Sequence, residues 1–344
     1  MIAARTTLTL AAIEALAQQV LLASRTTASN AAPVARSIMR AEADGVRSHG
    51  LFRLPTYAEH ARIGKVDGAA TPTIEIVGAA GSRVDARTGF AHPAIRLGFE
   101  RLVPQARAQG IAALAVTNSY NCGVVGHHVE DIAQAGLVAL AFVNAPRSMA
   151  PWGGKIPVLG TNPMAFACPR ASGAPLVMDQ SSSKIARSEI QLQQRAGKPI
   201  PLGWAIDKDG RPTTDADAAM TGSVLPFGDY KGYGIALMVD LLAGALTGSR
   251  LSHEADSFLS SVDGPPRTGQ FFIAIEPSRF GGADWLLQAE RMFAKVLAEP
   301  GVHLPGDRRQ AKRREHEANG VEMPTELLAQ LERLAASSNS ETGR

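Results

Sequence analysis

The segment DGVRSHGLFRLP, residues 44–55, places one histidine between two arginines. His49, whose ordinary pKa is about 6.5, is suited to proton transfer near neutral pH, and the cations Arg47 and Arg53 favour its neutral form. Arg53 lies four residues further on and could hold a carboxylate through two parallel hydrogen bonds. A proton donor beside a carboxylate clamp suits a small acid with a reducible C=O or C=N bond next to its carboxylate.

Ser48 directly precedes this histidine, but no GxSxG motif surrounds it, so the pair lacks the signature of a serine hydrolase. The preceding sequence predicts a helix that ends at Gly45, with Val34, Ile38 and Ala41 on one face. A histidine just beyond a helix, beside surface arginines, is also typical of a plain polar turn. The residues of this segment leave the catalytic and the structural interpretation open.

Two predicted strand–helix junctions offer further polar groups. TNSYNCGVVGHH, residues 117–128, carries Asn121 and Gly123 just before a helix, whose first backbone amides favour a phosphate or another anion. VMDQSSSK, residues 177–184, places Asp179 at the end of a strand. Two such loops on one sheet lie along the same edge, where α/β proteins bind ligands. The first junction alone is also typical of an ordinary turn with a small cap.

The stretch KIARSEI, residues 184–190, brings Arg187, Ser188 and Glu189 to the start of a predicted helix. A carboxylate there could orient a histidine and stabilise its charged form. An exposed glutamate in a first helical turn is also common because it interacts favourably with the helix dipole. Both interpretations stand for this stretch.

Motifs for nucleotide binding are missing from the sequence. No GxGxxG follows a strand, and no GxxxxGK[ST] is present. The glycines of GDYKGYG, residues 228–234, have the wrong spacing. A standard Rossmann fold or P-loop is therefore disfavoured.

The remaining motifs argue against several protein classes. His127 and His128 are adjacent and cannot face one metal ion from a helix, and we expect the nearby Glu130 and Asp131 to form a solvated face. Cys122 and Cys168 form no CxxC pair. We therefore predict no bound metal and no disulfide framework. No run of about 20 apolar residues is present, and Glu14 interrupts the apolar N-terminal stretch. We expect no membrane span, no signal peptide and a cytoplasmic location.

A basic arm, GDRRQAKRR at residues 306–314, contains five cations and one acid. It could bind an anionic partner, or form a solvated helix in which Glu315 and Glu317 balance its later cations. The net charge of the chain is only +3, and no aromatic residues alternate with these cations. We therefore expect no nucleic-acid binding.

The predicted elements describe how these motifs are positioned. The 344 residues, 45% of them hydrophobic, suffice for a large core in one or two domains. From about residue 72, strand and helix patterns alternate, which predicts an α/β domain with a mixed sheet, and both chain ends have helical patterns. The predicted parts are 1–70, the N-terminal half of a helical subdomain; 71–282, the α/β domain; and 283–344, the C-terminal half, with the basic arm extended to 305–314.

Six stretches occur in a familiar order: ADGVRSHGLFRLPTY, NSYNCGVVGHH, GTNPMAFACP, MDQSSSKIARSEI, GRPTTDADAAMTGSVLPFGDYKGYGIALMVDLLAGALTG and LPGDRR. Together they resemble the malate/L-lactate dehydrogenase family of the non-Rossmann type, from about residue 8 to residue 335. Within it, SSSKIARSEI and GRPTTDADAAMTGS are most similar to the Δ1-piperideine-2-carboxylate/Δ1-pyrroline-2-carboxylate reductases. The resemblance implies a non-Rossmann NAD(P)-binding α/β domain, a helical subdomain built from both chain termini, and a homodimer.

The resemblance also implies an activity, the NADPH-dependent reduction of cyclic 2-imino acids to L-pipecolate and L-proline. Hydride goes to the imine carbon, and His49 is the proton donor, supported by Ser48 and by Glu189, which stands where the reductases have an aspartate. Arg53 would hold the substrate carboxylate. The other residues implied for the substrate pocket are Thr161, Arg187 and Ser188.

The cofactor residues that the resemblance implies are spread over four segments. Arg308 and Arg309 could pair with a 2′-phosphate, which favours NADPH over NADH. The complete set is Asn121, Cys122, Gly123, Val124, Val125, Asp179, Gln180, Ser181, Tyr230, Lys231, Pro305, Gly306, Asp307, Arg308, Arg309, Gln310 and Ala311.

Two alternative functions remain. A malate/lactate-type 2-hydroxyacid dehydrogenase would act on an open-chain 2-oxo acid, and Arg47 or Arg187 could then bind a second carboxylate. A binding protein for an anionic partner would instead use the basic arm, and steeply salt-dependent binding would identify it.

Overall fold

The computed structural model describes residues 5–337. Within this range, the twelve α-helices are α1 (Leu10–Leu22), α2 (Ala28–Ala43), α3 (Leu54–Arg62), α4 (Ala91–Gln109), α5 (Val125–Gln134), α6 (Arg187–Arg195), α7 (Ala216–Thr221), α8 (Tyr230–Asp240), α9 (Pro277–Gly281), α10 (Trp285–Leu297), α11 (Asp307–Asn319) and α12 (Thr325–Ala336). The strands are β1 (Arg5–Leu8), β2 (Thr73–Gly78), β3 (Gly81–Asp85), β4 (Ile111–Ser119), β5 (Val138–Val143), β6 (Met164–Cys168), β7 (Leu176–Gln180), β8 (Ala205–Ile206), β9 (Pro212–Thr213), β10 (Ser223–Val224), β11 (Thr268–Ile275) and β12 (Val321–Pro324).

The central sheet has seven strands among the described residues, in the order β2-β3-β4-β11-β5-β6-β7. Only β3 and β4 pair in parallel, because β11 arrives late in the chain and inserts antiparallel between β4 and β5. Since β6 is antiparallel to both β5 and β7, the strands β4, β5 and β7 all run in the same direction. The predicted mixed sheet is confirmed, and the loops after these three strands lie along one edge.

The core of the α/β domain lies between this sheet and helices α4 and α5. Alternate residues of β4, among them Leu114 and Val116, are fully buried against the helices. Gly98 of α4 packs onto Leu114, and a side chain there would collide with the leucine methyl groups. The close approach of α4 to the sheet therefore requires a glycine.

The two ends of the chain form one helical subdomain, as predicted. Its buried cluster joins Ile13 of α1 and Val34 of α2 with Leu328 and Leu331 of α12. Strands β1 and β12, which had no clear pattern in the sequence, pair antiparallel across it. The hydroxyl of Thr9 caps α1 by accepting a hydrogen bond from the Ala12 amide, 3.2 Å away.

The predicted boundaries 1–70, 71–282 and 283–344 stay predictions, and residues 1–4 and 338–344 lie outside the described residues. Helix α10 has no buried side chain and contacts the loop after β6 through the ion pair between Arg170 and Glu290, 3.1 Å. It therefore stands outside the buried core of the helical subdomain.

A buried ion-pair network joins the subdomain to the α/β domain. Arg313 of α11 binds both Asp44, 2.7 Å away, and Glu130 of α5, 2.8 Å away, and Arg40 of α2 also binds Glu130. His127 lies 2.9 Å from Asp44. Glu130 is thus buried, whereas the sequence had placed it on a solvated face. The network fixes α5 and α11 to the end of α2, directly before the segment that carries His49.

Within residues 5–337, no helix combines the length and the apolar character that crossing a membrane would require.

Candidate active site

The segment that contains His49 and Arg53 follows α2 as two short 3₁₀ turns, Arg47–His49 and Leu51–Arg53. Helix α2 ends at Ala43, and Gly45 continues in the left-handed region with φ at +73°, where a glycine is favoured. The predicted end of this helix at Gly45 is confirmed. The turns place His49 and Arg53 on the same cavity.

A buried carboxylate holds the two turns together. Oε1 of Glu42 accepts a hydrogen bond from the backbone N–H of Leu51, 2.7 Å away. Any side chain at Gly50 would collide with the Glu42 carboxylate, so the turn requires a glycine here. Burial raises the pKa of Glu42, and the Leu51 amide and the charge of Arg47 oppose this rise. Arg47, which had no clear role in the sequence, therefore acts on Glu42.

The imidazole of His49 is held in its neutral form. Burial and, to a smaller extent, the charge of Arg53 lower its pKa to about 4, while Asp179 acts in the opposite direction. Arg53 thus exerts the predicted effect of a cationic neighbour. The hydroxyl of Ser48 lies 3.0 Å from Nδ1 of His49, so the predicted contact between these two side chains is present.

The side chain of Arg53 makes no hydrogen bond or ion pair among the described residues. Its Nε is buried without a partner, and its guanidinium borders the cavity. A buried cation with unused donors is costly unless an anion binds it. This is the arrangement expected of a carboxylate clamp.

The cavity has a volume of about 930 Å³ and opens at the sheet edge where β4, β5 and β7 end. It is large for a ligand site, which typically measures about 300–1,000 Å³. The structure brings most of the predicted catalytic and substrate residues to its wall. They are Ser48, His49, Arg53, Thr161, Arg187 and Ser188.

Glu189 is the exception: no hydrogen bond between Glu189 and His49 occurs among the described residues, and its supporting role stays a prediction. Its carboxylate accepts a hydrogen bond from Nε2 of Gln193, 3.0 Å away, and it does not line the cavity. The reason is helical geometry: Arg187, Ser188 and Gln191 occupy the face of α6 that borders the cavity, and Glu189 lies beside that face.

Arg187 is a second cation of the cavity. Its Nη2 donates to the carbonyl of Met220, 2.7 Å away, and its Nε is buried without a hydrogen-bond partner. Burial lowers the pKa of Arg187. No ion pair to Arg187 occurs among the described residues, so a second anionic group could bind there.

The predicted cofactor loop, Asn121 to Val125, lines the cavity along its whole length. Oδ1 of Asn121 accepts hydrogen bonds from the Tyr57 hydroxyl, 2.7 Å away, and from the Gly123 amide, 2.8 Å away. Gly123 has φ at +71°, and a Cβ there would lie 2.7 Å from the Ser37 hydroxyl. The loop therefore requires a glycine, because Ser37 and His92 already occupy the space that a side chain would need.

Burial raises the pKa of the Cys122 thiol in this loop to about 12. The thiol therefore stays protonated at neutral pH and serves as packing rather than as a nucleophile.

The predicted anion site at the start of α5 holds a carboxylate of the protein itself. Oδ2 of Asp179 accepts from the Gly126 amide, 3.0 Å away, and from Nη1 of Arg309, 3.1 Å away. Asp179, Gln180 and Ser181 all line the cavity, as predicted for the end of β7.

Other predicted cofactor residues lie away from the cavity. Tyr230 is 63% exposed and begins α8 at the surface next to the exposed Lys231. Of the segment 305–311, Arg309 alone borders the cavity among the described residues. The remaining members are either packed against β7 and α5 or exposed: Pro305, Gly306, Asp307, Arg308, Gln310 and Ala311.

The cations of the basic arm are largely used within the protein. Arg309 pairs with Asp179, Lys312 pairs with Glu315 at 3.0 Å, and Arg313 takes part in the buried network. The predicted balance by Glu315 thus holds for Lys312, whereas Arg313 points inward. This arrangement argues against a large anionic partner on the arm.

Two stretches of the cavity wall were not predicted from the sequence. The loop after β5, residues 144–148, could have been found by the same edge rule as the other two loops. The segment 253–260, with Asp263, is irregular and polar and had no motif to mark it. In the described part of the chain, no group of three or more His, Cys, Asp and Glu side chains is arranged to hold a metal ion.

Comparison with known proteins decides the family. The family model described as malate/L-lactate dehydrogenase matches residues 8–332. The chain belongs to this malate/L-lactate dehydrogenase family. The resemblance noted from the motifs is therefore confirmed, and so is the expected fold class.

Members of the malate/L-lactate dehydrogenase family with different named substrates are similar to this chain. A (2R)-3-sulfolactate dehydrogenase (NADP(+)) of Chromohalobacter salexigens is 48% identical, covering 88% of this chain and 90% of that protein. A Δ1-pyrroline-2-carboxylate reductase of Ancylobacter novellus is 42% identical, over 95% and 97% of the two chains. The crystal structure of Δ1-piperideine-2-carboxylate reductase from Pseudomonas syringae superimposes with a TM-score of 0.91 at 37% identity, over 96% and 99% of the chains.

Proposed function

We propose that the protein is an NADPH-dependent reductase of cyclic 2-imino acids, Δ1-piperideine-2-carboxylate and Δ1-pyrroline-2-carboxylate. The observation that carries the proposal is that His49 and Arg53 line the same cavity. A guanidinium without an anionic partner among the described residues borders the same cavity as a histidine that can carry a proton. Relatives with these named activities extend over nearly the whole chain.

The roles of the residues follow from their chemistry. Arg53 binds the carboxylate of the imino acid, which fixes the C=N bond beside it. His49 delivers a proton to the ring nitrogen, and the hydroxyl of Ser48 orients the imidazole through Nδ1. Arg187 and Ser188 from α6, with Thr161, close the other side of the substrate pocket.

The residues of the cavity fit a dinucleotide cofactor. The loop Asn121 to Val125 lines the cavity directly before helix α5, and Asp179 and Arg309 offer an acceptor and a donor beside it. When bound, the cofactor supplies the hydride. Arg308 is exposed and has no ion pair among the described residues, and it supports a preference for the 2′-phosphate of NADPH. The contacts expected of Tyr230, Lys231 and the rest of 305–311 remain part of this proposal.

A substrate panel tests the function. Initial rates of NADPH and NADH oxidation would be measured with the two cyclic imino acids, pyruvate, oxaloacetate and 3-sulfopyruvate. We expect kcat/KM to be highest for a cyclic imino acid with NADPH. A higher value for any open-chain 2-oxo acid would replace this function with the second candidate.

The second candidate is a 2-hydroxyacid dehydrogenase for a substrate with two anionic groups. Arg187 favours it because its buried Nε lacks a hydrogen-bond partner and could bind the second anion beside the carboxylate on Arg53. The sulfolactate dehydrogenase that is 48% identical has such a substrate. The panel above separates the two, since cyclic imino acids carry a single carboxylate.

The proposal includes a homodimer in the cytoplasm. Helix α8 and the π-helical turn that follows it expose Leu237, Met238, Leu241 and Leu246 together, an apolar face that a second copy could cover. Sedimentation velocity would test this, with Leu241→Glu expected to shift the species of twice the monomer mass to the monomer. No change in sedimentation would place the interface elsewhere.

A further inference from the structure

Asp179 lies where the cofactor loop, the basic arm and the catalytic cavity meet. Its side chain is 11% exposed, and its Oδ2 receives both the Gly126 amide and the Arg309 guanidinium. No hydrogen bond to its Oδ1 occurs within residues 5–337. Oδ2 is therefore held by the first turn of α5 and by Arg309. Asp179 and His49 line the same cavity.

The charged groups that act on His49 come from four elements. Arg53 from the catalytic turn, His127 from α5 and Arg309 from α11 all disfavour the protonated imidazole. Asp179 from β7 acts in the opposite direction and favours it. Glu189 is not among these groups, and its carboxylate accepts a hydrogen bond from Gln193 beside the cavity.

Arg309 has two effects on the histidine. First, its positive charge repels the protonated imidazole of His49 directly. Second, it forms an ion pair with Oδ2 of Asp179, and this pair offsets the negative charge through which Asp179 stabilises the protonated imidazole. An anionic group that drew Arg309 away would remove the second effect and uncover the carboxylate. The phosphates of the proposed cofactor are such groups.

We propose that Asp179 is a positioning residue for the proton transfer: its carboxylate stabilises the protonated imidazole of His49, and Arg309 sets how strongly it does so. This role rests on the proposed function. The site therefore takes up its catalytic proton from solvent more readily when an anion engages Arg309. Binding of a phosphate-bearing cofactor and loading of the proton become linked steps.

Ring titration of His49 in the unliganded protein tests this link without any turnover. Histidine would be labelled with ¹⁵N, and the signal of His49 among the eight histidines would be identified by its loss in His49→Asn. Because the midpoint in the unmodified protein is about 4, close to the acid limit of many folds, the comparison is made in an Arg309→Gln background. In Arg309→Gln we expect the titration midpoint of His49 to lie about one pH unit higher than in the unmodified protein.

Asp179→Asn in the same background is the deciding variant, because the amide keeps an acceptor for Gly126 and removes the charge. We expect it to lower the His49 midpoint by about one pH unit again. Asp209→Asn is the matched control: it removes one exposed carboxylate beside Arg211 at the surface and should not move the midpoint. If the circular dichroism spectrum shows that Asp179→Asn disturbs the fold, Asp179→Ser takes its place.

Equal midpoints with and without the Asp179 carboxylate would overturn the inference. This outcome differs from a failure of the proposed function. Absence of imine reduction in the substrate panel counts against the function alone, whereas an unmoved midpoint in a protein that reduces imines counts against the role of Asp179 alone.

Discussion

The hydroxyl oxygen of Ser48 lies 3.0 Å from Nδ1 of the adjacent His49, within one 3₁₀ turn. When the ring is neutral and the hydroxyl donates, the remaining ring proton sits on Nε2. When the ring is protonated, Nδ1 donates to the serine instead. The contact between Ser48 and His49 is therefore a hydrogen bond in both protonation states of the imidazole.

Ser48→Ala should lower kcat for imine reduction by about 5–10-fold, because one orienting hydrogen bond of about 1 kcal/mol is lost. Ser48→Thr keeps the hydroxyl and should retain most of the activity. Steady-state rates at saturating substrate measure both variants. An alanine variant as active as the threonine variant would show that the serine has no orienting role.

His49 should give the reaction a distinctive pH dependence. A proton donor with a pKa of about 4 in the free enzyme becomes deprotonated as the pH rises above 4, so kcat/KM should fall as the pH increases. A substrate carboxylate on Arg53 offsets the charge that lowers this pKa, so the pKa seen in kcat should be higher. His49→Asn should reduce kcat by about 10²–10⁴-fold and remove the dependence. Identical profiles for kcat and kcat/KM would contradict the electrostatic role of Arg53.

Arg53 and Arg187 should separate the two candidate substrates. Arg53→Lys replaces a forked guanidinium with a point charge and should raise KM by about tenfold or more for every 2-oxo or 2-imino acid. Arg187→Leu should lower kcat/KM for 3-sulfopyruvate by about 100-fold, the loss expected when a buried anion loses its partner. It should lower kcat/KM for the cyclic imino acids much less, because a leucine still closes this side of the pocket and these substrates carry no second anion. Equal losses on both substrate classes would mean that Arg187 binds the shared carboxylate.

The Asp44–Arg313 pair should govern stability in acid. Burial alone would raise the pKa of Asp44, but hydrogen bonds from His127 and Arg313 outweigh it and lower the pKa to about 2. The folded state binds this proton less tightly than the unfolded state, so the pair stabilises the fold above about pH 4 and loses its effect as the pH falls to about 2. The difference between the pKa of Asp44 in the unfolded and in the folded protein corresponds to about 2 kcal/mol in the free energy of unfolding.

Arg313→Met should destabilise the protein at pH 7 by about 3–5 kcal/mol, because it removes the cation that Asp44 and Glu130 share and leaves Arg40 as the remaining arginine of the network. Urea unfolding measures the loss. Lys312→Met, one residue away, breaks only an exposed pair and should cost less than about 1 kcal/mol. Similar losses in the two variants would show that the buried network contributes no more than a surface pair.

Gly50→Ala should damage the catalytic turn from within. A methyl group at this position meets the Glu42 carboxylate and breaks its bond to the Leu51 amide. We expect a loss of about 1–3 kcal/mol in the free energy of unfolding, together with a lower kcat. Gly78→Ala in β2, where no atom lies within 4 Å of the added carbon, is the matched control. Unchanged kcat in Gly50→Ala would mean that Glu42 does not position His49.

The sequence was most informative where the physical cause is local. The end of α2 at Gly45 could be predicted because a left-handed residue stops a helix, and the loops after β4 and β7 could be predicted because strand ends share an edge. These rules placed Asn121 and Asp179 on the correct cavity wall. The motifs around them then indicated the family.

The sequence was least informative where distant segments meet. Nothing local reveals that β11 inserts between β4 and β5, where it makes two antiparallel pairs instead of one parallel pair between these strands. Glu130 looked solvated because its cationic partner, Arg313, lies 183 residues further along the chain. Glu189 was expected beside His49 because its position matched a motif, whereas in the structure its carboxylate accepts a hydrogen bond from Gln193 and does not line the cavity.

The pairing of β1 with β12 has a consequence for how the protein is made. Arg5 of the first strand meets Glu322 of the last across 317 positions of chain, so a ribosome delivers one partner long before the other. The turn that carries His49 is synthesised early but rests against a core whose final pieces, Leu328 and Leu331, emerge at the end. Nascent chains released before Val321 would thus contain the full catalytic turn and lack the parts that seal it, leaving apolar helices for chaperones or proteases to recognise.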